Sequence, residues 1–155
     1  MKAFLSQFVV ILMFIPFYLL GDEPAGSRLA PMESEVQQRI QAMGEALEAA
    51  DCSRVSAFFG KDFTFYVNGH RVGSREQVLA TCQEIPRPFP KAEFKVNEVR
   101  ALSDDHALAL RVILMPDGVV VGKPKREVIT QIWRREPDRS WRIWHMHVSI
   151  DEWVQ

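Results

Sequence analysis

Near the end of the sequence, His145 and His147 are separated by a single residue. On a strand, residues i and i+2 point the same way, so two imidazoles there would stand side by side and could share a proton or hold a metal. A metal site needs a third ligand, often a carboxylate, and no spacing in the chain supplies one; His70 and His106 cannot be placed from spacing. The expectation is no metal and no cofactor. A hydrogen-bonded structural or interface role for His145 and His147 is the stronger reading, with general acid–base catalysis as the alternative. Asp62 precedes an expected strand, where a turn residue is the stronger reading than a catalytic acid. There is no Gly-rich phosphate loop, no Gly-x-Ser-x-Gly elbow and no zinc helix motif. Cys52 and Cys82 lack Cys-x-x-Cys spacing, so they carry no zinc or redox signal. Whether they form a disulfide or remain two thiols on separate helices stays open, because spacing does not measure their separation.

The elements that must position these residues fall into two runs. Ser34 with Gln37 has the capping-box pattern, and Val36, Ile40, Met43 and Leu47 then recur at helical spacing. Asp51 can cap a short second helix through Phe58-Phe59, stopped by Gly60, before a strand from Phe63 to Val67 that turns at Asn68-Gly69. Ser74 with Gln77 starts a third helix, ended by Pro86. Strands are then expected at Ala92–Leu102, His106–Met115, Glu127–Arg135 and Ser140–Ile150, with turns at Ser103-Asp104-Asp105, Pro116-Asp117-Gly118 and Pro137-Asp138. Helices followed by strands joined through short turns indicate an α+β domain with an antiparallel meander. Lys123-Pro124-Lys125-Arg126 and Arg134-Arg135 look basic, but Glu127, Glu136 and Asp138 offset them, so solvated strand ends are expected.

The chain has 155 residues with 19 basic and 20 acidic side chains, a balance that argues against a nucleic-acid partner. Sixteen of the first twenty residues are apolar, behind a single Lys2, and Ala25-Gly26-Ser27 follows as a small-residue exit. That pattern is the expectation of a signal peptide over residues 1–27 and of an exported protein, periplasmic or secreted. A retained anchor is the weaker reading, since Pro16 would kink the run and a span needs about 20 apolar residues. With the segment removed the chain would have no electrostatic bias toward a membrane.

The order helix–helix–strand–helix and four long strands, with Thr130-Gln131-Ile132-Trp133-Arg134-Arg135 and then Trp141-Arg142-Ile143-Trp144-His145-Met146-His147-Val148-Ser149, resembles the SnoaL-like branch of the nuclear transport factor two-like superfamily. It is similar to the association domain of calcium/calmodulin-dependent protein kinase type two over roughly Glu33 to Ser149. The resemblance implies a cone-shaped, strongly curved antiparallel sheet wrapped around N-terminal helices, a single domain over 33–155. It leaves activity open, because the branch hosts binding modules and several enzyme classes. It implies a cavity lined by the last strands, where family arginines fall on Ile113, Gln131 and Val148. Arg111, two residues from Ile113, points to the same side. If Thr130 faces His145, then Gln131, Trp133, Trp144 and Met146 share the pocket face, with Tyr66 adding a hydroxyl. His145 and His147 then lie on the other face.

The expected function is binding of a small, mostly apolar ligand by Tyr66, Arg111, Gln131, Trp133, Trp144 and Met146. Because both sheet faces are largely apolar, the sheet is expected to pair with a second copy as a homodimer or higher oligomer. A dehydratase, isomerase or hydrolase using a histidine base is one alternative, and an oligomerisation scaffold without ligand is another.

Overall fold

The computed structural model describes residues 31–84, 93–115 and 125–152. The expected leader, the helix stop at Pro86 and the Pro116-Asp117-Gly118 turn lie outside them. The first helix, α1 (Pro31–Glu48), buries Val36, Ile40, Met43 and Leu47, the stripe expected from their spacing. It starts before Ser34, because Pro31 suits the first helical turn, where its missing N–H would have no partner anyway. A short α2 (Cys52–Ser56) is capped by Asp51, whose Oδ1 accepts from the Arg54 amide at 2.9 Å. The expected run of helix to Phe58-Phe59 is corrected: Phe59 already belongs to β1 (Phe59–Val67), and Gly60 is buried within that strand. A tight turn at Asn68-Gly69 leads into the two-residue β2 (His70–Arg71); both turn residues have positive φ, 48° and 80°. The third helix, α3 (Arg75–Glu84), begins as its capping pattern predicts, with the Ser74 amide donating to Gln77 Oε1 at 2.8 Å.

Four long strands follow: β3 (Glu93–Ser103), β4 (His106–Met115), β5 (Lys125–Arg135) and β6 (Trp141–Glu152). The six-stranded sheet runs β2-β1-β6-β5-β4-β3. From β3 to β6 it is the expected antiparallel meander. The pairing of β1 with β6 is parallel, a departure from the all-antiparallel expectation. It arises because β6 is the last strand of the meander and returns in the direction of β1, closing the helices over one face.

That face holds the core. Ala107 and Ala109 stand opposite Trp133 and Gln131, so small residues on β4 make room for the large ones on β5. Glu35 ties α1 to the β5–β6 hairpin by accepting from the Trp141 indole at 2.8 Å and pairing with Arg135. Cys52 and Cys82 form a disulfide between α2 and α3, with Cα atoms 5.7 Å apart, which resolves the alternative left open by spacing.

Candidate functional site

Strand alternation divides the sheet into an inner face under the helices and an outer face away from them. Along β5 the odd positions Glu127, Ile129, Gln131 and Trp133 are buried, and Val128, Thr130 and Ile132 are half-buried. Along β6 the alternation is broken once. Ile132 pairs with His145 but Trp133 pairs with Ile143, so Trp144 is an extra residue. The β1 side is irregular at the same place on β6 but in the other sense, passing from Phe59↔Ile143 to Thr64↔His145 with the surplus residues on β1. A bulge of this kind reverses which side chains face which way beyond it. Before it Trp141 and Ile143 face inward; after it Met146 and Val148 do.

The expected ligand set is thereby split. Arg111, Gln131, Trp133 and Met146 come together on the inner face, and all are essentially inaccessible to solvent. The Trp133 indole donates to Gln131 Oε1 at 3.1 Å, and Gln131 Nε2 donates to Met146 Sδ at 3.6 Å. This chain fixes the orientation of the Gln131 amide in apolar surroundings. Arg111 Nε donates to Asn97 Oδ1 at 3.2 Å, and its guanidinium lies 4.8 Å from the centre of the Phe94 ring. Burial lowers the Arg111 pKa to about 9, so it keeps its charge at neutral pH.

Tyr66 and Trp144 are corrected: neither lies on the inner face. Tyr66 alternates with buried Phe65 and Val67 and points outward, and Trp144 is 39% exposed because the bulge turns it away from Gln131 and Trp133. Arg134 covers the Trp144 ring at 5.4 Å, and His106 meets its edge at 6.1 Å.

His145 and His147 are also on the outer face, beside Thr64 and Tyr66 of β1. Thr64 Oγ1 and His145 Nδ1 are 2.7 Å apart, and the Tyr66 and His145 rings are 5.9 Å apart. No group of three metal-ligating side chains occurs among the described residues. Asp62 pairs with Arg134 at 2.8 Å, which holds its carboxyl below the usual carboxylate range. At neutral pH Asp62 is thus a carboxylate without a proton to donate.

One inward residue escaped the sequence reading. Glu127 is 1% exposed, faces Ile113 across β4 and Ile150 across β6, and neither carboxyl oxygen has a hydrogen-bond partner. Burial pushes its pKa up to about 8, with Lys125 opposing the shift. The signal was present: the alternation that sends Gln131 and Trp133 inward sends Glu127 inward as well. Its place beside a basic run suggested a solvated charge instead.

A SnoaL-like domain model matches residues 36–151. No curated protein matches the chain. Among solved structures, a protein of the DUF3225 family from Pectobacterium atrosepticum is 21% identical with a TM-score of 0.64, the match covering 84% of this chain and 99% of that one. One named for a calcium/calmodulin-dependent protein kinase II association domain, from Xanthomonas campestris, is 21% identical with a TM-score of 0.63, covering 86% and 95%. A ketosteroid isomerase-like protein from Erwinia carotovora atroseptica is 16% identical with a TM-score of 0.62, covering 79% and 98%. At these identities the likeness is one of fold.

Proposed function

The chain belongs to the SnoaL-like domain family, and on that premise we propose that its inner sheet face binds a small, mostly apolar ligand. The observation that carries this reading is the fixed chain Trp133–Gln131–Met146, with the buried Arg111 guanidinium on the same face. A few oriented polar groups in an apolar setting are what a small-molecule site requires. Arg111 and Gln131 orient the ligand; Trp133 and Met146 contact its apolar body. The histidine-base alternative has lost its support, because His145 and His147 are on the opposite side of the sheet from Arg111 and Gln131.

The outer face supports association with a second copy of this chain. Leu108, Leu110, Val112, Val128 and Ile132 are half-buried there, with the Glu98 and Arg100 pair of β3 opposite Leu110 and Leu108 at one edge. Charged pairs stand at the margins, Arg134 with Asp62 and Arg126 with Asp151. An apolar centre with a charged rim is the anatomy of a protein interface. Export is part of the proposal, supported by the apolar leader and by the Cys52–Cys82 disulfide, a bond that persists in oxidising compartments.

The test is an NMR titration of the protein recovered from an exporting host, using 2-acetylnaphthalene as probe. The Trp133 indole N–H resonance is expected to shift while that of Trp144 stays in place. A titration that leaves Trp133 unmoved overturns the pocket, and a monomer in sedimentation at micromolar concentration overturns the dimer.

A further inference from the structure

The irregular pairing of β1 with β6 leaves surplus residues on β1 between Phe59 and Thr64, and two neighbours there, Lys61 and Asp62, are both exposed. A bulge re-aims side chains in this way and is common beside functional sites. Here it opens onto a cleft of about 620 Å³ beside the β5–β6 hairpin, whose lining includes none of Arg111, Gln131, Trp133 and Met146. Its cations come from four elements: Lys61 from β1, Arg75 from α3, Arg134 from β5 and Arg142 from β6. Three carboxylates share the lining, and each already has a partner. Arg134 forks onto Asp62, at 2.8 and 3.2 Å, and also reaches Glu136 at 2.8 Å. Arg142 pairs with Asp138. Arg75 uses only Nε, donated to the Ser56 carbonyl at 2.8 Å, and Lys61 has no hydrogen bond or ion pair among the described residues. Glu76, next to Arg75, lines the neighbouring cleft instead.

More positive charge stands behind Arg142. Arg39 donates from Nε to the Trp141 carbonyl at 3.3 Å and lies over the Phe58 ring, 4.3 Å from its centre. Burial, then the nearness of Arg142 and Arg54, lowers its pKa, against the opposing pull of Asp138. Like charges gathered at one place, in a chain whose formal net charge is only -1, repel one another until an anion joins them. We propose that this cleft is a binding site for a phosphate monoester, whose oxygens take hydrogen bonds from Lys61, Arg75 and Arg142. Arg134 is committed to Asp62 and Glu136 and braces the wall of the cleft. A phosphate monoester has three acceptor oxygens arranged tetrahedrally and close to two negative charges, so donors converging from three elements can each reach one. A carboxylate offers two oxygens in one plane and a single charge, and meets fewer of them. The ligand differs in chemistry from the apolar one assigned to the inner face, and the two sites share no residue.

Titration calorimetry with phenyl phosphate, in low-salt buffer at about pH 8 where the ester is a dianion, tests the assignment. The expected result is saturable one-to-one binding that weakens as salt is added. Lys61→Gln is expected to bind about three- to tenfold more weakly, and Arg142→Gln at least about tenfold, since it also uncovers Asp138. Asp62→Asn removes a carboxylate from the lining and should bind about two- to fivefold more tightly, a gain that misfolding does not produce. Arg126→Gln, at the other end of β5, should leave the affinity unchanged. Thermal melting confirms that each variant is folded. Absence of saturable binding by the wild-type protein overturns the site. Wild-type affinity in Lys61→Gln, or an equal loss in Arg126→Gln, reduces the effect to general surface attraction and overturns it as well. Benzoate or succinate bound as tightly as phenyl phosphate overturns the phosphate assignment. Tighter, Lys61-dependent binding of vesicles containing phosphatidic acid overturns a soluble ester as the ligand.

Discussion

The two faces of the sheet are built from the same strands and differ in what covers them. On the inner face, Ile129, Gln131, Trp133, Ile143, Met146 and Val148 are wholly buried by the chain's own helices. On the outer face, Thr130, Ile132, His145 and His147 alternate with them and remain half-exposed. The inner residues therefore contribute more to the stability of the single chain than the outer ones do. The histidines, chemically the most conspicuous residues, belong to the second group. The groups with perturbed proton affinity, Arg111 and Glu127, belong to the first.

The contrast is sharpest at the two tryptophans. Trp133→Ala is expected to cost about 3–5 kcal/mol in chemical denaturation, because it removes a large side chain that is wholly buried. Trp144→Ala is expected to change stability by less than about 0.5 kcal/mol, as for an exposed side chain. Equal losses at the two positions would break the distinction between the faces.

Removing the staple over the inner face comes next. Cys52→Ser with Cys82→Ser opens a cross-link of sequence separation 30, and chain-entropy reasoning gives a loss of about 3–4 kcal/mol. Reduction of the wild-type protein should lower its melting temperature in the same way, measured by calorimetry.

Glu127 provides a test by pH. Its folded-state pKa is raised from 4.5 to about 8, so between those values the unfolded chain has released a proton that the folded chain retains. Stability then falls as pH rises through this window, by about 2–4 kcal/mol from pH 5 to pH 8. Glu127→Gln should flatten that part of the profile. An unchanged slope would mean that the carboxyl is ionised in the fold.

A smaller effect than these is expected from Ile132, on the outer face. Ile132→Asp should weaken self-association at least about tenfold, or roughly 1.4 kcal/mol, in sedimentation while leaving the unfolding of the monomer nearly unchanged. A collapse of monomer stability would show that Ile132 is an ordinary core residue and would erase the difference between the faces.

Much of this molecule is legible from local pattern. The stripe of α1, the Asp51 and Ser74 caps, the turn at Asn68-Gly69 and the alternation along β5 all depend on residues a few positions apart, and the spacing of side chains along one helix or strand is a local property. The same alternation placed Gln131 and Trp133 inward, and would have placed Glu127 there had its charge not been read as a solvent-facing feature.

Three things were decided only in the assembled structure. The parallel pairing of β1 with β6 is a choice of hydrogen-bond partner between segments some 80 residues apart. One extra residue on β6 in its pairing with β5 is enough to send Trp144 to the outside while Met146 turns inward. The joining of Cys52 to Cys82 likewise required the packing of α2 on α3. The raised pKa of Glu127 is a matter of burial, at a position flanked by Ile113 and Ile150 from other strands. Sequence by itself determined which residues lie on which strand and helix; the tertiary structure decided which face each presents and whether water reaches it, because both depend on partners that are distant along the chain.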